Sequence, residues 1–168
     1  MSQYSHIPEA SLLVRDARGR YQPATADQIL AAARQAIDQK MQRGADFGSP
    51  TDVKAYLRAK LAGLDHEIFA VLFLDNRHRL IEYVEMFRGT IDGASVHPRE
   101  VVKEALRFNA AAVIFSHPHP SGNPEPSQAD RAITNRLREA LALIEVRTLD
   151  HVIVAGNDTV SFAERGLL

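Results

Sequence analysis

The sequence predicts an α/β (α+β) fold in which a mixed central β-sheet is flanked by helices. Residues 66–75 are apolar on both alternating sets, the pattern of a central strand covered on two faces. A second apolar run of strand length, with Val113, Ile114 and Phe115, occupies residues 110–115. Residues 25–41, 49–62, 98–108 and 127–144 instead repeat their apolar side chains at helical spacing.

In chain order, residues 1–23 show little periodicity and are expected to be loosely ordered. Residues 11–14 could add an edge strand or pack against the body, and His6 reads as a surface residue. Thr25 and Gln28 make a capping-box-like start to a helix whose stripe of Ile29, Leu30, Ala33, Ile37 and Met41 is expected to pack, with Gly44 as its stop. Residues 44–49 read as a linker. Ser49 and Pro50 then open a helix burying Val53, Tyr56, Leu57 and Leu61, with Lys54, Arg58 and Lys60 on its solvated side. After the first apolar strand, residues 76–79 turn and residues 80–88 return as a hairpin partner interrupted by Glu82 and Glu85. A glycine-containing loop at 89–96 crosses to a helix that starts at Pro98 and carries Val101, Val102, Ala105, Leu106 and Phe108. His97, beside that helix start, reads as a structural hydrogen-bonding residue. Residues 149–155 and 159–162 form a final hairpin about a turn at 156–158. Asp150 and His151 are neighbours on a strand and so face opposite sides; they read as structural unless the fold brings one of them to the site.

At 168 residues and 45% hydrophobic, the chain is most simply one globular fold with a proper core. Its expected division is an N-terminal segment, 1–48, with one packing helix, followed by a domain at 49–168. The absence of cysteine excludes disulfides, thiolate metal sites and cysteine nucleophiles, and it suits a cytoplasmic location. Residues 1–10 carry no export signal, and no apolar run approaches the ~20 residues of a membrane-spanning helix, so no membrane partner is expected. A formal net charge of -1 does not support direct DNA binding through a broad cationic surface. Oligomeric state has no signature in the sequence.

The chemistry concentrates in residues 116–130, a proline-rich loop after the second apolar run. His117 and His119 follow a strand expected to deliver its last residues to a sheet edge. Pro118 and Pro120 keep that segment extended, and residues two apart in extended backbone point the same way. Ser127 and Asp130 have the N-cap and N3 spacing of a helix start, which aims the Asp130 carboxylate back toward the histidines. Two nitrogens and one oxygen suit Zn²⁺, and three protein ligands leave a fourth position for water, acidified toward a pKa of ~7. Read singly, Ser127 and Asp130 could merely cap a helix, and residues 119–127 could be an ordinary surface loop.

The spacing His-x-His, seven residues, Ser, two residues, Asp, met by His117, His119, Ser127 and Asp130, resembles the JAMM (MPN+) metalloprotease signature. Val96-His97-Pro98-Arg99-Glu100, Ala105-Leu106-Arg107, His119-Pro120-Ser121-Gly122, Leu149-Asp150-His151 and Glu164-Arg165-Gly166-Leu167 are similar to the bacterial RadC-like branch, so the likeness covers about residues 49–168. Pro118 departs from that branch, which usually has Asn between the histidines.

The resemblance implies an MPN/JAMM fold similar to the cytidine-deaminase-like layout, in a short form without the N-terminal helix-hairpin-helix module of longer relatives. It implies a zinc-dependent metallopeptidase or isopeptidase acting on an unknown protein or peptide substrate, and it carries the branch's DNA-repair label. Zn²⁺ would be held by His117, His119 and Asp130. Glu67, at the start of the strand after the N-terminal helix, matches the family's general base, with Glu82, Glu85 and Glu100 as rivals. Ser127 would hydrogen-bond the water or the developing oxyanion. The alternative is a non-catalytic, metal-stabilised DNA-repair or partner-binding module. A zinc deaminase is excluded, because its Pro-Cys-x-x-Cys element needs cysteine.

Overall fold

The computed structural model describes residues 12–61, 63–64, 66–89 and 95–168. Two strands, β1 (Leu13–Arg15) and β2 (Tyr21–Pro23), precede two helices, α1 (Ala26–Lys40) and α2 (Pro50–Leu61). The hairpin β3 (Ile68–Leu74) and β4 (Leu80–Arg88) leads to α3 (Pro98–Arg107), then β5 (Ala112–Pro118), α4 (Gln128–Ala142), β6 (Arg147–Ala155) and β7 (Asp158–Ser161). Five strands form one mixed sheet in the order β4-β3-β5-β6-β7, parallel between β5 and β6 and antiparallel elsewhere. The parallel pair requires a crossover, and α4 supplies it.

Alternation along the strands sorts the core into two faces. Ile68, Leu72 and Leu74 of β3 pack with Ala112, Ile114, Val152 and Val154 beneath α2. Phe69, Val71 and Phe73 point the other way and join Val113 and Phe115 under α3 and α4, whose contributions include Val101, Ala105, Leu137 and Leu141. Every residue of β3 and β5 is buried. That explains why both read as near-continuous apolar runs, with no polar alternation to set one face apart.

Several expectations are corrected. β5 is the middle strand of the sheet, so its histidines leave at a strand end and not at a lateral edge. The first two strands make their own two-stranded sheet and do not extend the main one, while residues 1–11 lie outside the described residues. Helix α1 has the expected capping box, with the Gln28 amide donating to Thr25 Oγ1 and the Thr25 amide donating to Gln28 Oε1. Its stripe, however, buries no residue: only Ile37 and Met41 lean on the core, and Ile29 and Leu30 are exposed. The segment 44–47 is more than a linker. Gly44 and Phe47 donate to the carbonyls of Leu80 and His78, the Leu80 amide donates to the Ala45 carbonyl, and the Phe47 ring is buried, because an aromatic side chain next to open sheet finds apolar cover there. Lys54 pairs with Glu164, and Lys60 pairs with Asp38 at 2.8 Å while sitting 4.6 Å from the Tyr83 ring centroid. These two lysines bridge elements of the fold while Arg58 stays exposed. Leu106 faces solvent at 60% exposure, since α3 turns only Val101 and Ala105 fully inward.

Stability should follow this division. Leu137→Ala, which empties a fully buried site under α4, is expected to cost about 2–5 kcal/mol. Ile29→Ala on the exposed stripe of α1 should stay within about 0.5 kcal/mol of the parent. Urea unfolding midpoints at unchanged slope check both; equal losses would make α1 part of the core.

Candidate metal centre

Strand parity places the first histidine. His117 shares the face of Val113 and Phe115 and so points toward α4, where its imidazole is buried and lies parallel to the Phe69 ring at 6.3 Å. His119, two residues on, stays in register because its amide donates to the Val154 carbonyl at 2.8 Å, carrying the pairing with β6 past the end of the strand. The chain then turns at Gly122, whose φ of +77° is a region that L side chains rarely adopt. Residues 123–127 are led back to α4 by the Glu125 amide donating to Asn123 Oδ1, and a two-pronged Glu125–Arg165 pair ties them to the C-terminal turn.

Helix α4 begins with the capping box expected for Ser127 and Asp130. The Asp130 amide donates to Ser127 Oγ, while the Ser127 amide and hydroxyl both donate to Asp130 Oδ2, at 2.7 and 2.6 Å. With Oδ2 so engaged, Oδ1 faces His117 Nε2 at 3.1 Å. The two Nε2 atoms are 2.9 Å apart, and His119 Nε2 lies 3.5 Å from Asp130 Oδ2. Among the described residues these three side chains form a group that could hold a metal ion. The donor chemistry and spacing both fit one: a tetrahedral ion with bonds of about 2.0–2.1 Å separates its ligand atoms by about 3.3 Å, close to the distances observed.

The electrostatics agree with closely gathered donors. Burial works to raise the Asp130 carboxyl, but the His117 and His119 imidazoles beside it prevail and hold it far below the usual carboxylate range. The hydrogen bond to Asp130 in turn raises His119 above its ordinary value, against partial burial.

A cavity of about 450 Å³ opens onto this group. Glu67, Ser127, Ile68, Phe69 and Ile133 are among its lining residues, so the structure brings Glu67 to the same space as the three donors. Glu67 stands one residue before β3 with its carbonyl accepting from the Gly89 amide at 2.9 Å, and its charge is felt at His119. None of its rivals lines that cavity: Glu85 pairs with Arg88, Glu100 with Lys103, and Glu82 borders a different hollow. His97 also stays outside, its ring edge-on to Phe87 at 5.9 Å. Ser127 lines the cavity, and its hydroxyl donates to Asp130.

Sequence reasoning read Asp150 and His151 as structural unless the fold brought one of them to the site, and the fold brings His151. Its ring is fully buried, 2.8 Å from His117 Nδ1 through Nε2 and 2.6 Å from Thr134 Oγ1 through Nδ1. Burial, with His117 adding to it, pushes this imidazole well below its ordinary value, so the ring is neutral. Asp150 faces the opposite side, as expected, and there accepts from the Ser161 hydroxyl and the His151 and Ala163 amides. Which of the two would join the site is set by an irregularity in the β5–β6 register between Val113 and Ile114, which brings His151 opposite Phe115. An unbroken register would have put Asp150 there. No residue type in the sequence signals that slip. His119 Nδ1 is held by the Asn123 carbonyl at 2.7 Å.

Comparison with known proteins identifies the family. A UPF0758 protein of Vibrio cholerae is 60% identical over 154 residues, covering 90% of this chain and 97% of that protein. A UPF0758 protein of Marinobacter nauticus is 55% identical over 81% of this chain and 61% of its own length, and one of Xanthomonas axonopodis is 49% identical over 98% and 77%. The chain spans about three-fifths of the length of the Marinobacter protein and of further UPF0758 relatives from Thioalkalivibrio sulfidiphilus and Nitrosococcus oceani. A family model described as "RadC-like JAB domain" matches residues 47–167, and with the mixed sheet and the His117, His119 and Asp130 group in place the chain belongs to that RadC-like branch of the JAMM family.

Proposed function

We propose that this chain is a zinc-dependent hydrolase that cleaves an amide bond in a protein or peptide. One observation carries the reading: Glu67, Ser127 and the three convergent donors line a single open cavity. His117, His119 and Asp130 would hold Zn²⁺, which supplies Lewis acidity toward water and a carbonyl oxygen. Glu67, a carboxylate on the wall of the same cavity, takes a proton from the attacking water and returns it to the leaving amine. Ser127 fixes Asp130 through its amide and hydroxyl, and that hydroxyl, once turned from Oδ2, would donate to the developing oxyanion. The apolar wall of Ile68, Phe69 and Ile133 gives a substrate side chain a place to shed water. We place this activity in the cytoplasm on the cysteine-free composition; among the described residues no helix is long and apolar enough to cross a membrane.

Protein purified without chelator should carry close to one equivalent of zinc by elemental analysis, and His119→Ala should lose it; a variant with full zinc content would remove His119 from the site. Glu67→Gln should keep the metal yet lower cleavage of a peptide library by at least about 100-fold, and undiminished turnover would assign the proton transfer elsewhere.

Proton competition gives a third outcome. His119 is raised above 6.5 by Asp130, so in the metal-free protein this pair stabilises the fold fully below the unfolded imidazole value, and the contribution is lost as pH rises through the folded one. Zinc requires the neutral ring, so its affinity strengthens over the same interval. The gain in thermal midpoint on adding zinc should therefore grow with pH through that interval; a flat response would contradict it.

A further inference from the structure

We propose that His151 is a positioning residue which, together with Thr134, locks His117 in the single tautomer able to bind a cation; this rests on the metal reading above. One buried chain of hydrogen bonds fixes where each hydrogen sits. Thr134 Oγ1 lies within hydrogen-bond distance of both the Asp130 carbonyl and His151 Nδ1. A carbonyl only accepts, so the single hydroxyl hydrogen of Thr134 goes to Asp130. Thr134 Oγ1 must then accept from His151, which puts the hydrogen of His151 on Nδ1. His151 Nε2 is left as a bare acceptor, and its 2.8 Å contact with His117 Nδ1 requires a hydrogen on that atom. His117 Nε2 thereby keeps its lone pair, and this is the atom that faces His119 Nε2 and Asp130 Oδ1.

The chain begins at the backbone of one ligand, Asp130, and ends at the ring of another, His117. Residues 130 and 134 are one turn apart on α4, and His151 stands on the strand beside His117, so the helix and the sheet are tied at the point where the donors meet. Phe162 lies nearly parallel to the His151 ring at 4.7 Å and Phe115 stands edge-on at 5.8 Å, so the imidazole is held in its plane by packing as well. His119 obtains the same tautomer from a backbone carbonyl, an acceptor that cannot be wrong. His117 depends on a side chain that could carry its hydrogen on either nitrogen, and Thr134 removes that choice.

The test is nitrogen-15 NMR of the imidazoles in the metal-free chain, recorded well above the ordinary imidazole value of about 6.5, with Zn²⁺ affinity measured separately by chelator competition. The wild type should show His117 with its hydrogen on Nδ1 and His151 likewise. His151→Leu should give His117 a mixture of tautomers and weaken Zn²⁺ binding by about 10–100-fold, while His151→Gln, whose Oε1 can accept from His117 Nδ1, should restore most of both. Thr134→Val, which frees the His151 tautomer while leaving all three donor side chains in place, should shift the His117 signals in the same sense and serves if His151→Leu fails to fold. A wild-type His117 carrying its hydrogen on Nε2 would overturn the proposal, as would a His151→Leu or Thr134→Val protein whose His117 tautomer and zinc affinity match the parent. A wild type that shows the expected tautomers but binds no zinc would instead sink the metal reading and leave the hydrogen-bond assignment standing.

Discussion

The parallel pairing of β5 with β6 across α4 is the constraint on which everything at the site depends. A parallel pair cannot close through a tight turn, so the chain must leave β5, cross as a helix and return. That crossover places the start of α4 over the end of β5, and side-chain parity then fixes what meets there. His117 points toward α4 because Val113 and Phe115 do, and Asp130 reaches it because a capping box holds its carboxylate at the helix entrance. Neither half has a donor set without the other.

The site also shows how one residue can serve the fold and the chemistry together. Asp130 caps α4 and presents Oδ1 to the histidines, and Thr134 one turn later bonds back to the Asp130 carbonyl while touching His151. Such a cluster leaves few buried polar atoms without partners, which is the condition for polar groups at a sheet–helix interface to be tolerated. The carboxylate between two imidazoles lies far below its ordinary range for the same reason that it suits a cation: positive charge is favoured at that point.

Much of this was legible in the sequence, and the failures have physical causes. Runs buried on both faces announced β3 and β5, and the cap residues Thr25 and Ser127 marked two helix starts with the correct partners at N3. The histidine pair and Asp130 could be read because extended backbone and helix entrances impose fixed directions on side chains. The role of His151 could not, since it turns on a one-residue slip in register that no composition or periodicity records. The stripe of α1 misled because amphipathic spacing describes a helix's own surface and not whether the rest of the chain arrives to cover it. Lys60 misled in the opposite way: a lysine stem packs readily beside an aromatic ring when a carboxylate such as Asp38 receives its tip.

The reading of this chain as a metal-dependent member of its family reduces to whether a single ion sits among His117 Nε2, His119 Nε2 and the Asp130 carboxylate. Anomalous diffraction collected on either side of the zinc absorption edge, from crystals grown without added metal or chelator, asks that directly. The account predicts one strong peak about 2.0–2.2 Å from all three donors, with Glu67 across the cavity from it. Density showing the three side chains in contact through hydrogen bonds alone, in crystals soaked with zinc, would contradict it.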